Sequence, residues 1–424
     1  MEAIISSVIS IILILLLGIL ISVIIDGYNK KKYLVSNTIV LLVLGIAFAL
    51  MLSKNIFSLN IDRTSIAIFS TIALAIILFD STFSLKLREL DSSYKKALLR
   101  FIIFFTANLV FLTYTSLFLF EKELNGSVYL AMILSTIMTA ISPHLGLTNS
   151  DKFLSKNKEK IFKMSGRIAD SIKTEAKIGL PIILLTAFII LSLAQMNNID
   201  IFSKSFSLSY QLMIGISMGV LMAIIVIAVI RSSISENISS IILAISILVT
   251  YGISEYLGGN GIAAIITLGM FYSSIYIKSR KVILEHSAAA IFVLESCVFF
   301  LVALSINLNF EITFLIKSII LFAIYILIRF LVVTFLAMNR TKRDIKHVLF
   351  MTFQVPKDIS IAAIILIFSN FYLPGMQNML SIALYFVLLS QILSLIVTKN
   401  INYFLKEESF VRENIEHKIE KHLH

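Results

Sequence analysis

The sequence has one cysteine, four prolines and few charged residues, which make up 14% of its 424 positions. The single cysteine, Cys297, excludes a disulfide framework, and histidine and cysteine do not cluster with metal-ligand spacing. There is no nucleotide-binding glycine loop of the P-loop type. We therefore expect no enzyme activity, no metal centre and no cofactor.

Apolar residues, by contrast, make up 58% of the chain, which excludes an ordinary soluble domain. About 13 apolar runs reach the roughly 20 residues that cross a bilayer. They lie near 3–25, 34–53, 64–85, 98–120, 127–148, 167–195, 207–230, 237–257, 261–277, 288–308, 313–338, 347–369 and 375–398. We predict an all-α polytopic membrane protein, with a transmembrane domain at 1–399 and a cytoplasmic tail at 400–424.

The net charge of +11 does not indicate nucleic-acid binding, because the basic residues are concentrated in every second loop between the apolar runs. The basic loops include 30–32, 86–100 with Arg100, 152–167, 278–281 and 340–346, whereas the intervening loops carry few. An odd number of spans places the two termini on opposite sides. Under the positive-inside rule we expect a multi-pass cell-membrane protein with an external N-terminus and a cytoplasmic C-terminus.

Three prolines stand inside apolar runs: Pro143, Pro181 and Pro356. A basic side chain follows two of them directly, His144 in the fifth run and Lys357 in the twelfth. Proline breaks or kinks a helix and leaves backbone groups that need partners. The twelfth run comes seven positions after the fifth, and because this offset is odd, the two copies point in opposite directions. We predict an inverted repeat whose broken helices, near 127–148 and 347–369, cross at a binding site.

Charged side chains within the apolar runs mark the candidate site. Arg329 lies deep in its run and cannot be neutralised, so it needs a carboxylate, and Glu175 in the core helix 167–195 is the best placed. On a helical wheel Lys173 and Lys177 share one stripe, whereas Glu175 shares another with Gly179. We therefore expect a structural Glu175–Arg329 pair, with the lysine stripe facing other neighbours.

The order of these motifs resembles the monovalent cation/proton antiporter superfamily, in its prokaryotic sodium/proton exchanger branch. The segment LFDSTFSLKLREL, with Asp80, is similar to the family's acidic glycine stretch and its leucine-arginine-glutamate-leucine ending. Arg167, Glu175 and Pro181 have the family's spacing. YGISEYLGGNG is similar to its glycine-rich hairpin, and VPKD stands where the family has proline-arginine-glycine.

This resemblance implies a homodimer of 13-helix subunits that exchanges a monovalent cation, sodium or potassium, for protons in the lipid bilayer. It implies that Glu175 and Arg329 form the core salt bridge and that Asp80 lies near the cation. It also implies that Lys357 offsets the negative ends of the broken helices, as helix dipoles make reasonable.

The departures from the family concern the ion site itself. Gly179 and Leu180 replace the acidic pair before the proline, and the ISPHLG segment at 141–146 holds no carboxylate. The remaining candidate ion or proton ligands are Asp80, Glu175, Asp358, the hydroxyl of Ser142 and backbone carbonyls that the prolines release. We hypothesise that the ammonium of Lys177 occupies the space of a cation.

Two other functions stay open on the same fold. One is an anion or organic-solute carrier, in which basic side chains attract the substrate; they are Lys173, Lys177, His144 and Lys357. The other is a regulatory member that transports nothing. Fold alone does not decide among them.

Overall fold

The computed structural model describes residues 16–25, 37–53, 63–85, 92–141, 159–195, 201–231, 236–274, 280–306, 308–338, 345–357 and 359–400. The first half holds α1 Leu16–Ile25, α2 Asn37–Ser53, α3 Arg63–Phe83, α4 Ser92–Ala107, the π-helix Asn108–Leu112, α5 Thr113–Leu119, α6 Val128–Thr139 and α7 Glu159–Gln195. The second holds α8 Ile201–Arg231, α9 Glu236–Tyr256, α10 Gly261–Ser274, α11 Arg280–Ser305, α12 Ile312–Met338, α13 Ile345–Phe353, α14 Ile359–Phe368 and α15 Met376–Lys399.

The prediction of an all-α membrane protein is confirmed. Eight described helices are long and apolar enough to cross a membrane, and five shorter apolar helices accompany them. Each of these helices overlaps a different one of the predicted apolar runs. Such agreement is expected, because a helix satisfies all its backbone groups internally and so can lie in lipid.

The helices pack in two groups. One contains α2, α3 and α8 to α11, and the other contains α4 to α7, α12, α13 and α15, while α14 packs against both. The groups meet chiefly where α3 and α11 pack against α14 and where α3 packs against α7. Within the first group the backbones approach closely, since a Cβ on Gly215 or Gly219 of α8 would lie 2.4 Å from a backbone oxygen of residue 260 or 264.

Two helix ends meet inside the second group. α13 ends at Phe353, the next four residues to Lys357 are not helical, and α14 resumes at Ile359. On the other side α6 ends at Thr139, where Ala140 leaves the helix with ψ 135°. The Lys357 side chain reaches the carbonyls at the end of α6. The end of α6 and the break between α13 and α14 thus lie together, as the predicted crossing requires, while Pro143 and the residues that follow it to 158 lie outside the described residues.

The prediction that Pro181 breaks its helix was wrong. α7 continues through Pro181 to Gln195 as a single helix. Proline removes one backbone donor, so the carbonyl of Lys177, four residues earlier, loses its usual intrahelical partner. The hydroxyl of Ser81 on α3 donates to that carbonyl at 3.2 Å. A neighbouring helix therefore replaces the missing bond, which is how membrane helices tolerate an internal proline.

Candidate functional site

Glu175, in the middle of α7, is the meeting point of three buried charged side chains. The guanidinium of Arg329 on α12 binds the Glu175 carboxylate with both terminal nitrogens. Nη2 donates to Oε2 at 3.0 Å, and Nη1 donates to Oε1. Neither side chain is exposed. An arginine fork matches a carboxylate in geometry, so each buried charge has the partner that its burial requires.

A second arginine, Arg100 of α4, contacts the same carboxylate. Its Nη1 donates to Glu175 Oε2 at 3.2 Å and to the hydroxyl of Ser171 at 3.3 Å. Counting Arg100 among the cytoplasmic loop residues was wrong, because it is only 8% exposed and lies within a helix. The available signal was its position inside the apolar run predicted at 98–120. Two guanidinium groups thus hold one carboxylate.

Aromatic rings close the site around these charges. Phe104, one turn after Arg100 on α4, lies with its ring centroid 4.6 Å from Cζ of Arg329. Its edge packs against Tyr325, with 5.6 Å between the ring centroids. A guanidinium over an aromatic face gains a cation–π attraction that increases when water is excluded.

Among the residues that the structure describes, Lys357 is the other fully buried cation, and it lies at the break between α13 and α14. Its Nζ donates to the backbone carbonyls of Met138 and Ala140 and, at 2.9 Å, to the hydroxyl of Tyr325. The amide of Gln391 donates to the carbonyl of Lys357 itself. The last carbonyls of a helix carry partial negative charge, so the ammonium stabilises the end of α6.

Asp80 lies on α3, close to the boundary between the two helix groups. It is 6% exposed, and its Oδ1 accepts a hydrogen bond from the hydroxyl of Ser287 on α11. The next residue, Ser81, is the donor to the Lys177 carbonyl on α7. Lys173 and Lys177 are half-buried, whereas Glu175 is fully buried. Asp80 is therefore the described buried carboxylate that lies apart from the arginine pair.

The positions where the family places its acidic pair are filled by packing. Gly179 faces α4, and a Cβ there would lie 2.6 Å from Cε2 of Phe101. Leu180 is 1% exposed and belongs to the hydrophobic core. The ring of Phe101 thus takes the space into which a side chain at position 179 would extend.

Replacing Gly179 with alanine is expected to lower the free energy of unfolding by about 1–3 kcal/mol, because overpacking a tight site forces neighbours to move. Gly252→Ala is the matched control. It also lies within a helix, but its Cβ would meet nothing within 4 Å, so a gain of up to about 1 kcal/mol is expected. Thermal unfolding of the purified proteins in one detergent measures both. Equal stability of the two variants would show that Phe101 yields easily.

A buried polar seam, not expected from the sequence, joins the π-helix and the start of α5 to α6. Asn108 donates through Nδ2 to Thr139 Oγ1 at 3.1 Å, and the hydroxyls of Thr113 and Ser135 lie 2.8 Å apart. The Asn108 oxygen is buried with no hydrogen-bond partner among the described residues. The seam includes Thr139. Its neighbours in the chain, Met138 and Ala140, supply the two carbonyls that accept hydrogen bonds from Lys357. Uncharged polar residues in an apolar run gave too weak a signal.

Several predicted site residues cannot be placed. Ser142, Pro143, His144 and Asp358 lie outside the described residues. Pro356 lies in the observed break, next to Lys357. Within the described part of the chain, no group of three His, Cys, Asp or Glu side chains has the arrangement of a metal site.

Comparison with known proteins gives one family and one solved fold. Residues 12–399 match the family described as "Sodium/hydrogen exchanger, transmembrane". The structure is similar to the sodium proton antiporter MjNhaP1 from Methanocaldococcus jannaschii at pH 8, with a TM-score of 0.68 and 18% identity, over 93% of this chain and 100% of that chain. The electron-microscopy structure of MjNhaP1 gives 0.63 and 16%, over 93% and 96%. No curated protein matches the sequence.

Proposed function

We propose, because this chain belongs to the sodium/hydrogen exchanger family of transmembrane proteins, that it exchanges sodium or potassium ions for protons across the cell membrane. Its working unit is a homodimer, with the N-terminus outside and the C-terminal tail in the cytoplasm. The single observation that carries the proposal is a buried carboxylate, Asp80, at the boundary between two groups of helices.

Exchange requires a group that binds either a proton or a cation, but not both. Glu175 is poorly suited to alternate in this way, since two guanidinium groups already occupy its carboxylate oxygens. Asp80 is a buried carboxylate on α3, at the boundary between the helix groups, and it accepts a hydrogen bond from the hydroxyl of Ser287. We assign the alternating role to Asp80, with Asp358 and the Ser142 hydroxyl as further oxygen ligands. Oxygen ligands suit hard cations such as sodium and potassium.

The basic residues have supporting roles in this proposal. Lys357 neutralises the carbonyl ends of α6 and so keeps the broken helices together when no cation is bound. Lys177 acts as a tethered ammonium that competes with the cation near α3. Arg329 and Arg100 bind Glu175 and so hold α7 in place between α4 and α12.

One observation favours the second candidate, an anion or organic-solute carrier. The buried charged side chains that the structure describes are Asp80, Glu175, Arg100, Arg329 and Lys357, which together carry one net positive charge. Half-buried Lys173 and Lys177 add to it. A positive interior attracts anions and opposes cations.

Reconstitution into liposomes tests the proposed function. Internal pH is followed after sodium, potassium and lithium gradients are imposed in turn on the parent, Asp80→Asn and Lys177→Ala. We expect cation-dependent proton movement in the parent, its loss in Asp80→Asn, and an altered cation dependence in Lys177→Ala. An unchanged Lys177→Ala would remove the tethered ammonium from the mechanism. A folded parent that responds to no cation would favour the anion carrier or the regulatory member.

A further inference from the structure

The carbonyl of Lys177 has an unusual position for a backbone group in a membrane helix. Pro181 cannot donate to it, yet α7 remains helical on both sides. The substitute donor belongs to another helix, because Ser81 lies on α3. Ser81 and the carbonyl therefore join the two groups of helices at one point.

The bond that joins them is long. Ser81 Oγ lies 3.2 Å from the Lys177 oxygen, whereas hydrogen bonds from hydroxyls to oxygen usually span about 2.5–3.0 Å. Ser81 is 1% exposed, so water from outside does not readily share the carbonyl. A long hydrogen bond is weak and can be exchanged for a better partner. A backbone carbonyl is also a ligand that monovalent cations accept in ion pathways.

A buried carboxylate belongs to the same turn of α3 as this donor. Asp80 directly precedes Ser81 and is 6% exposed, so a cation attracted to Asp80 comes to the part of α3 from which Ser81 donates. Carboxylate, hydroxyl and carbonyl oxygens together are the ligand types that sodium and potassium take. Unlike a carboxylate side chain, the carbonyl carries no net charge. It can therefore release the ion without binding a proton.

We propose that the backbone carbonyl of Lys177, denied its helix donor by Pro181, is an oxygen ligand for the exchanged cation, and that Ser81 holds it when no cation is bound. This inference rests on the proposed exchange function and names one ligand of that site. It assigns opposite effects to two substitutions. Pro181→Ala restores the donor and withdraws the ligand, whereas Ser81→Ala removes the competitor and leaves the ligand available.

The test measures the cation concentration that gives half-maximal proton movement in liposomes. For Pro181→Ala we expect a rise of about tenfold, the equivalent of one lost ligand contact, and a melting temperature at least equal to that of the parent. For Ser81→Ala we expect a fall of about threefold, since the cation no longer displaces a hydrogen bond. Stabilisation of the purified protein against heat by sodium or potassium should change in the same two directions.

Two control variants remove the same types of group, a proline ring and a serine hydroxyl, at other positions in the chain. Pro374→Ala removes a proline from an exposed turn, and Ser84→Ala removes a hydroxyl that donates within its own segment, to Ser81 O. Both should leave the half-maximal concentration unchanged. An active parent with unchanged cation dependence in Pro181→Ala and Ser81→Ala would overturn the ligand assignment alone. A folded parent that moves no protons with any cation would overturn the proposed function and the ligand with it.

Discussion

Replacing Glu175 with glutamine is expected to destabilise the protein by roughly 3–5 kcal/mol, because it leaves two buried guanidinium groups facing each other without an anion. Arg329 is fully buried and Arg100 nearly so. Glutamine keeps the size of the side chain, so the effect reports charge rather than a cavity. Denaturant titration in mixed micelles gives the free energy of unfolding, and cation-dependent proton movement gives the activity.

The two arginines supply graded comparisons for this result. Arg100→Gln leaves the Arg329 fork in place, so its cost should be about 1–3 kcal/mol. Arg329→Gln removes the fork and should lie between the other two. The double variant Glu175→Gln with Arg329→Gln should cost less than the sum of its parts, since the groups act as a unit. Full stability of Glu175→Gln would mean that water reaches this site.

Replacing Lys357 with methionine has the second large expected effect, a loss of about 3–5 kcal/mol. The substitution leaves the carbonyls of Met138 and Ala140 without the ammonium, and each buried acceptor without a partner costs about 1–3 kcal/mol. The end of α6 and the break before α14 would separate more easily. We therefore expect exchange to fall along with the melting temperature. Both are measured on the same preparation.

Lys317→Met is the matched control for this substitution. Nζ of Lys317 lies 2.7 Å from Oε1 of Glu123, but the Lys317 side chain is 36% exposed. An ion pair with that access to solvent contributes below about 1 kcal/mol, so the control should remain close to the parent. Similar losses from Lys357→Met and Lys317→Met would contradict the role given to the broken helix ends.

The fold could be predicted from the sequence because each membrane-spanning segment appears there as a long apolar run. The run at 347–369 even contained its own interruption, in VPKD, and the structure breaks the helix there. Pro181 shows the limit of that reasoning. The same residue type breaks one helix and not another, because α7 finds a replacement donor in Ser81, which is distant in sequence.

The contact between Glu175 and Arg329 could be anticipated because two deep charges of opposite sign in a membrane require each other. The part played by Arg100 was harder to anticipate, since a basic residue near the start of an apolar run, even inside it, is also typical of a cytoplasmic boundary. The position of Phe101 beside Gly179 could not be predicted from the sequence either. Only the packed structure shows that its ring fills the space beside Gly179.

The π-helix at 108–112 shifts the phase of a helix that otherwise runs from Tyr94 to Leu119. In a regular α-helix Asn108 and Thr113, five residues apart, would point about 140° away from each other. The wide turn brings both side chains to α6. Upstream of it, Arg100 keeps its own direction toward Glu175. One additional residue thus lets a single membrane helix serve two partners whose angular positions an uninterrupted α-helix could not match.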